Sequence, residues 1–141
     1  MSNYYGVNAT KALTPTSDNI LSGGLIGGKV KTMVDKYEAS GLADGSTISI
    51  GKALPVGAKV LGVSLSYDAL GASATLEVGD AGAAARYLAL AAASSAGNRQ
   101  SIDVDGLGYE ITGTSDTQIL ITLVGGAATG TIAIVVTFTT D

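Results

Sequence analysis

The stretch "TISIGKALPVGAKVLGVSLSYDAL", residues 47–70, decides the fold. Ile48 and Ile50 alternate with Thr47 and Ser49, the period of a half-buried strand. Pro55 and Gly57 then break the chain, because proline fixes φ and removes a donor while glycine tolerates conformations closed to other residues. A second run follows at 58–67, with Leu61, Val63, Leu65 and Tyr67 expected on one face and Ala58, Val60, Gly62, Ser64 and Ser66 on the other. Lys52 and Lys59 flank the break. Two strands joined by a Pro-containing turn, with no histidine, cysteine or phosphate-type glycine loop beside them, describe a β scaffold rather than a catalytic centre.

The same rhythm runs outward in both directions. Residues 29–39 alternate imperfectly, and a bulge near Thr32 and Met33 would restore the pattern. Residues 74–80 direct Leu76 and Val78 inward. Residues 85–93 are rich in Ala and Leu and have helical propensity, but Gly82 and Gly97 bound them at strand length. A strand is expected there, and 92–96 has room for a short helical turn. Residues 101–112 contain Asp105-Gly106, a favoured hairpin dipeptide. Residues 118–125 and 130–140 are the most apolar runs, joined by "GAATG". This spacing predicts an all-β domain of about eight antiparallel strands over 29–141, a jelly-roll-like sandwich. Residues 1–28 differ. "TPTSDN" is turn chemistry and "SGGLIGG" is too rich in glycine to hold regular structure alone, so they read as an extended Gly-rich N-terminal arm.

Composition narrows the chemistry. The chain has 141 residues, one domain's worth, with no Cys, no His and no Trp. Disulfides, thiolate or imidazole metal sites and His-based triads are therefore excluded. The net charge is −4, which argues against a general nucleic-acid binder. Residues 1–59 carry six Lys against four acids, and residues 60–141 carry two Arg against eight. The asymmetry reads either as chance in a short chain or as a first part that faces an acidic partner. The N-terminus lacks the pattern of a signal peptide, and the longest apolar run, 87–93, is far shorter than the ~20 residues that span a bilayer, so no membrane role is expected.

The remaining candidates for chemistry have simpler readings. Asp103 and Asp105 share a strand face but precede a turn. "GDAGAAAR" at 79–86 begins like a calcium loop and then offers alanine where oxygen ligands belong. Gly23–Lys29 is not a phosphate-binding loop, since Val30 follows the lysine. Ser and Thr are plentiful, but no histidine is present to activate one; a Ser–Lys pair is the alternative, and nothing in the sequence places a particular Ser beside a particular Lys. Tyr37, Tyr67, Tyr87 and Tyr109 read as core or sheet-edge residues. No cofactor and no enzymatic activity are expected.

Residues 45–89 resemble small structural proteins of tailed bacteriophages, described as capsid decoration, cement or minor head proteins. The resemblance lies in an Ile-rich strand, a Leu-Pro-x-Gly-Ala turn, a Val-Leu strand, "DALGAS", and "VGDAG" followed by "RY". The N-terminal "YYGVNATK" fits the same pattern. It implies a non-enzymatic virion part, made in the host bacterial cytoplasm, that docks on the major capsid protein at the capsid surface. Small residues on second strand faces suggest self-association, with a homotrimer as the expected form. Tyr4, Tyr5, Leu13, Ile20, Leu21, Leu25, Ile26, Lys29 and Lys31 are the expected partner-binding residues, since the apolar groups of an arm without its own core gain burial on a neighbour; for the arm itself, the alternative is that it packs back on its own domain or swaps within the oligomer. The alternative is a receptor- or glycan-binding module of a head or tail fibre.

Overall fold

A computed structural model describes residues 29–99 and 106–140. Residues 1–28, which hold the expected contacts Tyr4, Tyr5, Leu13, Ile20, Leu21, Leu25 and Ile26, lie outside the described residues, as do Asp103 and Asp105. Eight strands follow one another: β1 (Lys29–Leu42), β2 (Thr47–Leu54), β3 (Lys59–Tyr67), β4 (Thr75–Asp80), β5 (Ala83–Ala92), β6 (Gly97–Arg99), β7 (Thr117–Val124) and β8 (Ala128–Thr140). The described residues contain no helix. One sheet has the order β1-β8-β3-β6 and the other β2-β7-β4-β5, with every pairing antiparallel. This interleaving is the eight-stranded double-sheet jelly roll.

The core lies between the sheets. Val60 and Leu65 of β3, Leu76 and Val78 of β4, Ile119, Ile121 and Leu123 of β7, and Ile132, Ile134 and Val136 of β8 are at most 1% exposed. Each such side chain contributes about 1.5–3 kcal/mol on burial. The alternation that buries them also leaves Ser64, Ser66, Ala133, Val135 and Thr137 on the outer face of the first sheet. Arg99 ties the two sheets together, its guanidinium donating to the carbonyls of Leu76, at 3.0 Å, and Ala89.

Several expectations need correction. In β3 the register shifts between Val60 and Gly62. The extra residue, Leu61, is displaced, so Val60 joins Val63 and Leu65 in the core, whereas Leu61 stays partly exposed. In β1 the register runs unbroken from Lys29↔Thr140 to Ala39↔Gly130, and the irregularity comes between Ala39 and Leu42, where Gly41 has φ 63°. No bulge is needed near Met33, because β1 is an edge strand and most of it buries neither face. Val30 and Val34 are 62% and 67% exposed. The Ala-rich run forms β5, with Tyr87 and Leu88 in the core, and Ser94 and Ser95 form only a bend. The sixth strand is the three-residue β6. Gly106–Gly108 form a turn, as the Asp-Gly dipeptide suggested, but the segment after it runs irregularly beside β3. It is held by Val60 N–H to Tyr109 O and Ile111 N–H to Ala58 O.

Candidate docking surface

β1 leaves residues 1–28 at the end of the sandwich where β8 terminates and β2 turns into β3. Lys31 pairs with Phe138, so its side chain faces the gap between the sheets. Across that gap β2 brings Lys52 and Leu54 and then Pro55. Met33, Phe138, Thr140 and Asp116 complete a groove of about 290 Å³. A second depression of about 350 Å³ continues from Lys31 and Thr140 over Pro55, Val56, Gly57 and Ala58. Its shape comes from the Pro55–Gly57 turn, in which Gly57 has φ 94° and Ala58 N–H donates to Pro55 O at 3.1 Å. Val56 stands 46% exposed on the rim.

Charged side chains gather toward both ends of the sandwich. Lys29, Lys31 and Lys52 stand at this end, with Asp116 beside them and Glu110 paired with Lys59 in an isolated β-bridge. Glu38, Asp44 and Asp68 stand at the other end and serve the loops. Asp44 accepts from Gly125 N–H at 2.8 Å, Asp68 from Thr131 N–H at 3.0 Å, and Glu38 from the Thr131 hydroxyl at 2.5 Å. Of the partner-binding residues expected from the sequence, Lys29 and Lys31 fall within the described residues, and Lys31 lines the groove. Sequence reasoning did not group Met33, Lys52, Leu54, Pro55 and Phe138 with it.

Lys52 and Lys59 flank the same turn but have opposite environments. Lys52 is exposed, whereas Lys59 is 1% exposed and its Nζ donates to Gly57 O at 3.0 Å. The calcium-like stretch proves to be a brace. Asp80 is 4% exposed, and its carboxylate accepts from the N–H groups of Gly82 and Ala83, from Arg86 Nε at 2.9 Å and from the Tyr87 hydroxyl at 3.4 Å. Arg86 in turn lies 3.8 Å from the centre of the Tyr109 ring. Burial, followed by the neighbouring Asp80 charge, pushes the Tyr87 phenol well above its ordinary value. The oxygens of Asp80 are thus taken up by donors of the chain itself. Among the described residues no group of three His, Cys, Asp or Glu side chains could hold a metal ion.

No family model and no curated protein matches the sequence. Solved structures do. A chain of the cyanophage Pam1 capsid asymmetric unit is 30% identical, with a TM-score of 0.66 over 81% of this chain and 86% of that one. A chain of the Ralstonia phage GP4 capsid is similar in fold at 19% identity, with a TM-score of 0.63 and the same coverage. A chain of the acidic stable capsid of Helicobacter pylori bacteriophage KHP30 shares the fold at 15% identity, with a TM-score of 0.54 over 78% of this chain and 86% of that one.

Proposed function

Since this chain belongs to a family of phage capsid structural proteins, we propose that it is a decoration protein that docks on the outside of an assembled head and stabilises the shell. The likeness to the Pam1 capsid chain, extending over most of both chains, carries this reading. The part it describes is structural and non-enzymatic. A rigid jelly roll supplies the body, and the arm at 1–28 supplies reach, up to roughly 90 Å if fully extended. Lys29, Lys31 and Lys52 give the molecule a basic end where the arm begins, which suits an acidic face of the major capsid protein. Such charges set approach and register more than affinity. Three copies around one axis would bury exposed strands such as β1.

Binding to empty heads tests the proposal. Full-length protein is expected to co-sediment with them, and a chain lacking residues 2–26 is expected to fold but stay in the supernatant. Equal binding by the truncated chain would move the contact onto the β domain. A full-length chain that ignores heads but binds host glycans would replace decoration with receptor binding.

A further inference from the structure

The jelly-roll core is closed around most of its rim by its own side chains. At the end that carries the acids, Leu70, Ala93 and Ala128 are at most 3% exposed. At the basic end, Ile111 and Tyr87 are at most 1% exposed and close the side beneath β3 and β5. The corner between β1 and β2 is covered at the same depth, Leu54 being 1% and Phe138 8% exposed, but there the two sheets part above them and above Met33, leaving the groove of about 290 Å³ with Lys31 and Lys52 at its mouth. A cavity of about 150 Å³ accepts a benzene-sized group, so this one has space for two aliphatic side chains.

We infer that the groove is the seat of Leu25 and Ile26 of the same chain, so that the arm is rooted at this corner before it leaves the domain. The chain enters β1 at Lys29, two residues before Lys31 at the mouth of the groove. Ile26 lies three residue steps before Lys29, a span of roughly 10 Å at most. Between them, Gly27 and Gly28 permit the reversal that would carry the pair back into the gap, since glycine adopts either sign of φ. A tether this short gives an effective concentration on the order of millimolar, well above that of a neighbouring copy in micromolar solution. Seating the pair would cover the groove above Met33, Leu54 and Phe138. The inference goes beyond the decoration reading and does not depend on it.

The sequence makes the test simple, because Met1 and Met33 are its two methionines and it has no cysteine. In full-length protein carrying ¹³C-methyl methionine, the double change Leu25→Ser and Ile26→Ser is expected to move the Met33 methyl resonance. An unmoved resonance overturns the proposal. To separate a chain's own groove from its neighbour's, Ile26→Cys is combined with Lys52→Cys and treated with a short bis-maleimide at micromolar concentration. The expected product is an intrachain link, with none formed by the control pair Ile26→Cys and Ser66→Cys. Interchain dimers, no link, or equal linking of the control would each overturn it. These measurements use isolated protein, so failure to bind heads would sink the decoration reading and leave this result untouched.

Discussion

At the residue scale, the Asp80 cluster is the most exacting polar feature of the described residues. One carboxylate at the start of the β4–β5 turn satisfies two backbone donors, a guanidinium and a phenol. Asp80→Ala would leave those donors, and the Arg86 charge, without their partner. The expected loss is about 3 kcal/mol, in the range for breaking a largely buried ion pair. It should read as a lower urea midpoint at unchanged slope. Tyr87 makes a second, pH-dependent prediction. Its phenol titrates above the ordinary value of 10.0 because burial, and then the Asp80 charge, disfavour the phenolate. Its stabilising contribution is complete below the unfolded-state value and declines as pH rises through that value toward the folded one, because the unfolded chain releases the proton first. Tyr87→Phe should therefore fall less steeply in stability than the parent above pH ~10. Equal slopes in urea titrations across that range would refute the assignment.

At the element scale, two glycines with opposite surroundings test the strand geometry. A Cβ on Gly79 would stand 2.1 Å from Ala83 O and 2.5 Å from Ala84 C, inside the turn that joins β4 to β5. Gly79→Ala is expected to cost 2 kcal/mol or more, on the order of the larger overpacking penalties. A Cβ on Gly62 meets nothing within 4 Å. Gly62→Ala should be neutral or stabilise by about 0.4–1 kcal/mol, through a less free unfolded chain. Thermal or urea unfolding of both variants gives the comparison. Strands such as β2, β7 and β8 were legible because each alternates between core and outer face over several residues. β6 was not. Gly97, Asn98 and Arg99 bury no apolar side chain and are strand only because Tyr67, Ser66 and Leu65 lie alongside. Residues 106–112 were misread for the opposite reason. Ile111 is buried, but Gly106 and Gly108 (φ 74°) interrupt any regular pairing around it. In β3 the outer-facing serines were read correctly, whereas Leu61 was displaced by a bulge that carries no composition signal.

At the scale of the whole molecule, fold class was legible but the groove at the Lys31 end was not. Lys31 stands more than 100 residues from Phe138, and the two meet because β1 and β8 close the first sheet. Leu54 and Lys52 arrive from the second sheet. Only the jelly-roll order brings them to one corner. Function at this scale also makes a salt prediction. If Lys29 and Lys31 meet an acidic capsid face, Lys29→Glu with Lys31→Glu should weaken binding to heads and flatten its salt dependence, while leaving the far-ultraviolet spectrum of the β domain unchanged. Self-association is checked by light scattering, with a trimer the expected mass, free or on the head. The central claim is that this jelly roll coats an assembled head, and an image reconstruction of intact virions tests it most directly. The account predicts density fitting the eight-stranded sandwich in many copies over the outer capsid surface, with the Lys31 and Lys52 end turned toward the shell. Density for this chain confined to the tail or its fibres, or absent from the head, would contradict it.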